Sequence, residues 1–415
     1  MTEPFETDVA IVGGGPAGIA AALALRHRGV ARVTVLERES EAGGVPRHCG
    51  HPPFGLREFG RILSGPAYAA RLRLEAVRAG VEIRTRTSVT ALGPSGRLAL
   101  TTPDGTAALA AGRVILATGV REMPRSARLI TGDRPVGVLS TGTLQHAIYI
   151  ERQKPFRRPL IVGTELVSLS AVLTCWKAGI RPVAVVEAAS RPTARWPMAL
   201  FPRLLGIPMH YGAELVDIRG RSRVEAATLR LADGTTRDVD CDGILLTGRF
   251  VPESALVRLS HLDVDMGSGG PSIDQFGRCS DPAYFAAGNL LRPVETAGWS
   301  FREGKRIGGI VADDLDGRLA PAERTIQIAR GEGLKLAVPQ RIALPSAEPS
   351  LGWIQLRAAT GGTGVLSIRD GSAILWEKRL SILPERRILV PLAALLKAGE
   401  RTDTVEIRFT SDKAG

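Results

Sequence analysis

Short apolar runs alternate with longer helical patterns in the N-terminal part of the chain. Residues 8–12, DVAIV, have the length of a buried parallel strand. A glycine-rich turn follows, then a helical pattern over IAAALALRHRG that ends near Gly29, then a second strand, VTVLE, that ends at Glu37. Residues 157–187 repeat this plan and end at Glu187, which indicates an internal duplication of a βαβ unit.

The pattern changes after residue 324 to short strand-like runs separated by Gly, Pro and Asp. These runs are WIQLRA, GVLSIRD, AILWEKRL, RRILVPL and TVEIRF, and LKLAVPQRIAL adds a run that links them to the core. Their alternation of apolar and polar positions predicts a small antiparallel sheet or sandwich.

The predicted fold class is therefore α/β, with two Rossmann-like three-layer dinucleotide-binding domains and a small C-terminal all-β domain. We expect a discontinuous first domain over residues 1–122 and 250–317. The second domain is expected over 123–249 and the β-rich domain over 318–415. A length of 415 residues accommodates two or three domains.

The net charge of +12 raises the question of an anionic partner. The basic residues are dispersed without a run of five like charges, and no zinc spacing or RNA-binding aromatic motif occurs, so neither nucleic acid nor a metal is expected. An anionic small ligand or an acidic partner protein stays compatible with the charge. Four cysteines exclude a disulfide framework. No apolar stretch approaches 18 residues and no signal region precedes the first strand, so we expect a cytoplasmic protein without a membrane span.

The turn after the first strand carries a dinucleotide-binding fingerprint, G-x-G-x-x-G. Gly13 permits the tight turn, Gly15 lets the backbone approach a pyrophosphate, and Gly18 lets the helix and strand pack closely. The N-terminus of the helix offers N–H groups and a positive dipole to phosphates. Glu37 can accept hydrogen bonds from a ribose diol.

Three further segments resemble two-dinucleotide-binding-domain FAD flavoproteins of the pyridine nucleotide-disulfide oxidoreductase type. They are ERESEAGG, VILATGVREMPR and YFAAGNL. The resemblance implies that FAD is the cofactor, with NAD(P) doubtful. It implies that the following residues hold FAD: Gly13, Gly15, Pro16, Ala17, Gly18, Glu37, Arg38, Gly44, Val45, Val89, Ala117, Thr118, Gly119, Gly288, Asn289, Thr296 and Ala297.

The last of these segments departs from the family pattern at one residue. The family has a Gly-Asp pair that meets the pyrophosphate and the ribityl chain, whereas this chain has Gly288-Asn289, and Asn carries no charge. The segment VETAGWSFREGKRIGGIVADDL then predicts a helix. In the family such a helix points its N-terminus, here Thr296 and Ala297, at the flavin's pyrimidine edge and stabilises negative charge on the reduced ring.

The fingerprint of the second βαβ unit is degenerate, since it has Gly163-x-Glu165-x-x-Ser168. Glu165 puts a negative side chain where the backbone would approach a pyrophosphate, and Ser168 thickens the contact between helix and strand. We expect the fold to persist and NAD(P) binding to be lost or altered. A relaxed nucleotide site stays open as the alternative because Glu187 suits an adenosine ribose.

Candidate chemistry near the flavin is limited to one short segment. Cys49 stands in GGVPRHCGHPPFGL between His48 and His51, and these are weak candidates for handling protons or substrate. The alternative is a loop that packs over the cofactor or meets a partner. No C-x-x-C occurs, which disfavours a dithiol/disulfide reductase. The remaining cysteines, Cys175, Cys241 and Cys279, are expected to be ordinary buried or loop thiols.

Longer segments resemble flavoprotein subunits associated with glycerol-3-phosphate oxidation and a wider group of opine oxidase A, hydrogen cyanide synthase B and dye-linked proline dehydrogenase α subunits. These segments are GGVPRHCGHPPFGLREFGRILSGPAYAARL, GDRPVGVLSTGTLQ and NLLRPVETAGWSFREG. The resemblance implies that the partner is a second flavoprotein subunit of the oxidase or dehydrogenase type. Many relatives carry a C-terminal Cys-rich iron–sulfur module, but no Cys follows Cys279 here.

Three functions follow as hypotheses. The main one is an FAD-dependent oxidoreductase subunit in a complex that oxidises a small amine, amino acid or hydroxy compound. A self-sufficient NAD(P)H-dependent flavin oxidoreductase and a flavin-bearing scaffold without turnover are the alternatives. The β-rich domain is expected to dock a partner, to cover the flavin domain or to stabilise it.

Overall fold

The computed structural model describes residues 5–194, 196–346, 350–384, 386–396 and 402–412. The chain forms two compact units. Unit 1 comprises Met1–Gly44, Ala69–Val120 and Pro252–Gly415, and unit 2 comprises Val45–Tyr68 and Arg121–Val251.

This division differs from the expected boundaries in two places. Residues 45–68 group with unit 2, because their loop packs closely within it: a Cβ added at Gly50 would meet the ring of Tyr149 at 2.1 Å. The C-terminal strands group with unit 1 and do not form a third unit.

A mixed sheet forms the centre of unit 1. The N-terminal elements are β1 (Phe5–Val12), α1 (Pro16–His27), β2 (Val33–Leu36), α2 (Leu56–Phe59), α3 (Gly65–Arg78), β3 (Glu82–Arg84), β4 (Ser88–Leu92), β5 (Arg97–Thr102) and β6 (Gly105–Leu116). Of these, α2 belongs to unit 2, and α3 begins in unit 2 and continues in unit 1. The strand order is β3-β2-β1-β6-β5-β4, parallel from β3 to β6 and antiparallel from β6 to β4. Val9, Ala10 and Ile11 in β1 are fully buried, as a strand covered on both faces requires.

Unit 2 repeats the βαβ plan. Its elements include β7 (Val120–Glu122), β8 (Val138–Ser140), α4 (Thr141–Tyr149), β9 (Pro159–Val162), α5 (Leu166–Lys177), β10 (Ala184–Glu187), α6 (Phe201–Leu204), β11 (Met209–Tyr211), β12 (Ala213–Arg219), β13 (Ala226–Leu231), β14 (Thr236–Asp240), β15 (Gly243–Leu246) and β16 (Phe250–Pro252). The order β11-β10-β9-β15-β8 forms a parallel sheet, and β12, β13 and β14 form an antiparallel meander. The predicted duplication and the α/β fold class are confirmed.

The chain then returns to unit 1. The elements are α7 (Ala255–Arg258), β17 (Tyr284–Ala286) and α8 (Ala297–Leu315). Strand β17 pairs in parallel with β6, and α8 packs along α1 through glycines. A Cβ at Gly304 would lie 2.0 Å from the carbonyl oxygen of Ala17, and one at Gly308 would lie 2.4 Å from that of Ala21. Only glycine permits this approach of the two helices.

Residues 324–411, here called the C-terminal module, form two small sheets. The elements are β18 (Arg324–Arg330), β19 (Leu334–Val338), β20 (Arg341–Leu344), β21 (Trp353–Ala358), β22 (Gly362–Asp370), β23 (Ala373–Ile382), β24 (Ile388–Pro391), α9 (Ala393–Leu396) and β25 (Thr404–Ser411). The sheet orders are β20-β18-β25-β22-β23 and β19-β21-β24. The β-rich character is confirmed, although β18 and β25 pair in parallel.

The C-terminal module joins the core of unit 1 directly. The Gln275 side chain donates to the carbonyl oxygen of Ala343 at 2.7 Å and accepts from its N–H at 2.8 Å. Leu336 and Val338 belong to the same buried apolar cluster as Ile273. Within the described ranges, no helix combines the length and apolar character needed to cross a membrane.

Candidate functional site

The turn between β1 and α1 is closed by two glycines that the fold requires. Gly13 has φ +107°, and a Cβ there would lie 2.5 Å from the carbonyl oxygen of Ala117. A Cβ at Gly18 would lie 2.0 Å from the carbonyl oxygen of Gly13. Both positions therefore exclude any side chain, whether or not a ligand is bound.

Gly15 differs from these two because the space beside it is open. It has φ −78°, and a Cβ there would meet only the Cα of Gly44, at 3.9 Å. Gly15 is the N-cap of α1, and no side chain caps the helix. An uncapped helix N-terminus with open space beside the backbone fits an anionic pyrophosphate.

Glu37 follows β2 and is 6% exposed. Its Oε2 accepts from the N–H of Gly14 at 3.0 Å, and its Oε1 accepts from the N–H of Glu39 at 2.9 Å. Each carboxylate oxygen retains a second acceptor site. The carboxylate is thus held in place by the backbone while it keeps capacity for a ribose diol.

Asn289 closes the loop that leads into α8. Its Nδ2 donates to the carbonyl oxygen of Glu295 at 3.1 Å, and its Oδ1 accepts from the N–H of Glu295 at 2.8 Å. An ionised Asp could make only the second of these bonds, because it has no donor. The loop itself therefore explains why an asparagine stands at position 289, since both atoms of its amide bond to the backbone of Glu295.

Two buried polar atoms at the N-terminus of α8 lack a hydrogen-bond partner among the described residues. Thr296 is the N-cap, and its Oγ1 accepts from the N–H of Trp299 at 3.4 Å. The Nε1 of Trp299 and the Oγ of Ser300 are buried and have no hydrogen-bond partner among the described residues. The Cβ position of the adjacent Gly288 lies 3.9 Å from that Oγ. Buried orphaned atoms at a helix N-terminus fit a bound polar cofactor such as FAD.

The degenerate fingerprint of unit 2 is filled by a side chain. The Oε2 of Glu165 lies 2.9 Å from the Oγ1 of Thr247, and the carboxylate covers two glycines. A Cβ at Gly163 would lie 2.5 Å from Glu165 Oε2, and one at Gly248 would lie 2.3 Å from Oε1. Burial raises the pKa of Glu165, and the charge of Glu187 raises it further. A carboxylate therefore occupies the beginning of α5, where a phosphate would bind.

Glu187 is also engaged within unit 2. The hydroxyl of Thr164 donates to its Oε2, and the N–H of Ala189 donates to its Oε1 at 3.1 Å. Thr164 stands in the fingerprint where Gly14 stands in the first unit, and each of them donates to the acid at the end of the second strand. Glu187 is thus anchored much as Glu37 is, by one donor from the fingerprint and by the backbone N–H two residues further on.

A second half-buried carboxylate, which no sequence motif indicated, lies at the neighbouring helix start. Glu122 accepts from the N–H of Gly142 at 2.7 Å and from that of Gly248 at 3.2 Å, and burial raises its pKa. Arg128 donates to the carbonyl oxygens of Thr247 and Gly248 at 2.9 and 2.8 Å. Its positive charge offsets part of the rise that burial causes in the pKa values of Glu122 and Glu165. The spacing of residues along the sequence could not have indicated this site, because Gly142 in α4 and Gly248 after β15 are brought to Glu122 only by the fold.

The three weak catalytic candidates lie in unit 2 in a polar network with α4 and α5. The Sγ of Cys49 donates to Oε1 of Gln145 at 3.3 Å. The Nε2 of that amide donates to the Oγ of Ser170 at 2.7 Å, and the Nε2 of His51 lies 2.5 Å from the same Oγ. The rings of His48 and His146 meet edge to face, with centroids 6.1 Å apart.

Burial keeps the two central candidates uncharged. Burial raises the pKa of Cys49 to about 12, and the charge of Glu122 adds to the effect. Burial lowers the pKa of His48 to about 4, and the charges of His146 and Arg47 lower it further. At neutral pH the thiol is protonated and the imidazole is neutral, so neither a nucleophilic thiolate nor an imidazolium is present. Cys175, Cys241 and Cys279 are buried free thiols.

The remaining residues predicted to hold FAD differ in exposure and in backbone conformation. Thr118 donates to the carbonyl oxygen of Glu253 at 2.8 Å, and Gly119 has φ +77°. Arg38 has a 65% exposed side chain. Val45 is 53% exposed and begins unit 2, whereas Gly44 ends a segment of unit 1. Pro16 and Ala17 form the first turn of α1, Val89 is half-buried in β4, and Ala117 is buried after β6.

Comparisons with known proteins agree with the fold and the motifs. A family model for pyridine nucleotide-disulphide oxidoreductases matches residues 7–304. Hydrogen cyanide synthase subunit HcnB of Pseudomonas aeruginosa is 28% identical over 78% of this chain and 75% of that protein. Opine oxidase A of Rhizobium meliloti, which is named as one subunit of that oxidase, is 28% identical, but the match covers only 44% of this chain and 39% of that protein.

The fold also resembles solved structures at low sequence identity. Thioredoxin reductase of T. acidophilum superposes with a TM-score of 0.62 at 19% identity, over 74% of this chain and 98% of that one. The resemblance inferred from the motifs is confirmed, and FAD is the cofactor that it implies. Because the family match spans well over half of its residues, this chain belongs to the pyridine nucleotide-disulphide oxidoreductase family and is an FAD-dependent oxidoreductase.

Proposed function

We propose that this chain is the FAD-bearing subunit of a complex that oxidises a small amine, amino acid or hydroxy compound, and that NAD(P)H is not its electron donor. The observation that carries the proposal is the carboxylate of Glu165 at the beginning of α5. It takes the place of a phosphate, over Gly163 and Gly248, and its charge repels a pyrophosphate.

The half-buried charges around Glu165 support the same interpretation. Burial and the charge of Arg249 lower the pKa of Arg128, and the nearby carboxylates of Glu122 and Glu165 act in the opposite direction. A dinucleotide would have to displace Glu165 and compete for that cation. Such a displacement would remove one of the two carboxylates that lie near the half-buried Arg128, which opposes binding of a dinucleotide.

The names of two relatives support a subunit role. Both the hydrogen cyanide synthase and the opine oxidase proteins are named as subunits, and this chain is 28% identical to each of them over the matched residues. The proposed substrate class comes from the resemblance to that group. A second flavoprotein is proposed to be the partner.

In this proposal the residues of unit 1 bind and orient the cofactor. FAD, when bound, accepts two electrons from the substrate as a hydride. The uncapped start of α1 beside Gly15 holds the pyrophosphate, and Glu37 holds a ribose. The start of α8 at Thr296 and Ala297 faces the flavin, where its dipole favours negative charge. We propose that Cys49 does not act as a thiolate and that His48 does not act as an imidazolium acid, because burial keeps both neutral.

Rapid mixing of the purified, FAD-loaded chain with NADH or NADPH tests this proposal. We expect no flavin bleaching on the time scale of turnover, whereas bleaching that saturates with NAD(P)H would overturn the proposal in favour of the self-sufficient flavin oxidoreductase. The same chain is then purified in complex with its proposed flavoprotein partner. Bleaching by an amine, amino acid or hydroxy compound in the complex supports the subunit role.

The redox state of FAD during turnover of the complex distinguishes a scaffold role from an electron-carrying role. If FAD in the complex stays oxidised while the partner turns over substrate, the flavin of this chain is structural. If its absorbance falls and recovers with each addition of substrate and acceptor, this chain carries electrons.

A further inference from the structure

The side chain of Glu295 is held entirely by the C-terminal module. Its carboxylate is 7% exposed. Oε1 accepts from Nη2 of Arg357 at 2.6 Å and from Nε2 of Gln355 at 2.5 Å, both in β21. Oε2 accepts at 2.5 Å from Nη1 of Arg387, which directly precedes β24.

The backbone of the same residue is held by the predicted FAD loop. The N–H and the carbonyl oxygen of Glu295 both bond to the amide of Asn289. Next to Asn289, the N–H of Gly288 donates to Oε2 of Glu303 at 2.8 Å, and Glu303 pairs with the buried Arg292. Glu295 is thus a single residue through which the C-terminal module and the Gly288-Asn289 turn are joined.

A second contact reaches the first turn of α8. The guanidinium of Arg387 lies 3.5 Å from the ring centroid of Trp299, and that of Arg302 lies 4.9 Å from the same ring. Trp299 Nε1 and Nη1 of Arg357 are buried without a hydrogen-bond partner among the described residues. The module therefore places cationic groups around the start of the helix that is predicted to face the flavin.

We propose that Glu295 is a positioning residue, through which the C-terminal module fixes the loop from Gly288 to Thr296 and sets the electrostatic potential at the bound flavin. This inference rests on the proposed binding of FAD at that loop. Glu295 offsets Arg357 and Arg387, and charges in a buried site act over several ångströms with little screening. Loss of its charge would leave both guanidinium groups without their carboxylate near the start of α8, and loss of Arg387 would have the opposite effect on the potential there.

The test uses the full-length chain loaded with FAD, and the readout is the two-electron reduction potential of the flavin, measured against reference dyes. For Glu295→Gln we expect the reduction potential to become more positive by about 30 mV. For a two-electron couple this shift corresponds to an increase of about tenfold in the ratio of reduced to oxidised flavin at a fixed solution potential. For Arg387→Gln, at a partly exposed side chain, we expect a shift in the negative direction.

Asp274→Asn is the matched control. Asp274 is a buried carboxylate of unit 1 that pairs with Arg278 at 2.8 Å, in a separate cluster. We expect this variant to lose stability and to keep the wild-type potential.

The outcomes separate this inference from the proposed function. If wild-type protein binds FAD and both the Glu295 and Arg387 variants keep its potential, the inference is wrong while the FAD site stands. If Glu295→Gln does not fold, Arg387→Gln decides alone. If Gly15→Ala, described below, leaves FAD binding unchanged, the proposed FAD site itself is wrong.

Discussion

The Oε2 of Glu165 lies 2.9 Å from the Oγ1 of Thr247, so a side chain of the protein occupies the helix start that a dinucleotide would need. The corresponding position at α1 is Gly15, with open space beside it. Two copies of one βαβ plan therefore differ in what lies at the beginning of the helix: free backbone in unit 1 and a half-buried carboxylate in unit 2. We propose that this difference separates the FAD site from a site that no longer accepts a phosphate.

Replacement of Glu165 by glycine should restore affinity for NADH. The substitution removes both the volume and the charge from the phosphate position, and we expect at least about tenfold tighter binding, equivalent to about 1.4 kcal/mol. Calorimetric titration of NADH into the wild type and the variant measures the change. Glu165→Gln is the control, because it keeps the volume and removes the charge. Equal NADH affinity in all three proteins would contradict this account of the site.

Gly15→Ala should weaken FAD binding without unfolding the protein. The added Cβ meets only the Cα of Gly44 at 3.9 Å in a backbone conformation open to alanine, so the apoprotein should lose less than about 1 kcal/mol of unfolding free energy. A methyl group in the path of the pyrophosphate should raise the Kd for FAD at least about tenfold. Fluorescence quenching of added FAD gives the Kd, and urea unfolding of the apoprotein gives the stability.

Gly18→Ala serves as the contrasting variant. Its Cβ would lie 2.0 Å from the carbonyl oxygen of Gly13, so the apoprotein itself should be destabilised by several kcal/mol. Equal loss of stability in the Gly15 and Gly18 variants would show that Gly15 has a structural role instead of a binding one.

His48 should make the stability of the protein depend on acidic pH. Its pKa falls from 6.5 to about 4 on folding, so the folded state favours the neutral ring. That contribution is complete above pH 6.5 and is lost as the pH falls through 4, and it amounts to about 3 kcal/mol. Glu122 and Glu165 titrate in the opposite sense, because their pKa values are raised on folding. The difference in unfolding free energy between wild type and His48→Gln isolates the histidine. A difference that is constant from pH 7 to pH 4 would refute the prediction.

Cys49 should be unreactive in the folded protein. With its pKa raised from 9.0 to about 12, its thiolate fraction at pH 8 is about 1,000-fold below that of an unperturbed thiol. We expect iodoacetamide to label Cys49 slowly in the native state and rapidly in urea, as followed by peptide mass spectrometry. Cys49→Ser keeps a donor toward Gln145, so the rate at which substrate reduces FAD in the complex should not change. Fast labelling of the native protein, or slower FAD reduction in the Ser variant, would indicate that Cys49 takes part in the reaction.

The sequence was sufficient where local spacing determines geometry. The glycines of the first fingerprint, the acid at the end of β2 and the helix that becomes α8 all follow from short-range patterns. Glu122 and Glu295 could not be predicted, because each is defined by partners that are distant along the chain. The role of Asn289 was visible only as a departure from a family motif, since its partner, Glu295, needs the loop conformation to be known.

Asn289→Asp, which restores the family residue, should destabilise this chain. Asn289 is the only asparagine in the sequence, and its Nδ2 supplies the donor to the carbonyl oxygen of Glu295. An ionised Asp faces that carbonyl without a proton, so we expect the unfolding free energy to fall by about 1–3 kcal/mol at pH 8. Protonation of the carboxyl supplies a donor again, so the deficit should shrink as the pH falls toward 4. Urea unfolding of wild type and variant at both pH values measures the two deficits. If the deficit is absent at pH 8 or grows in acid, the amide of Asn289 does not hold the loop.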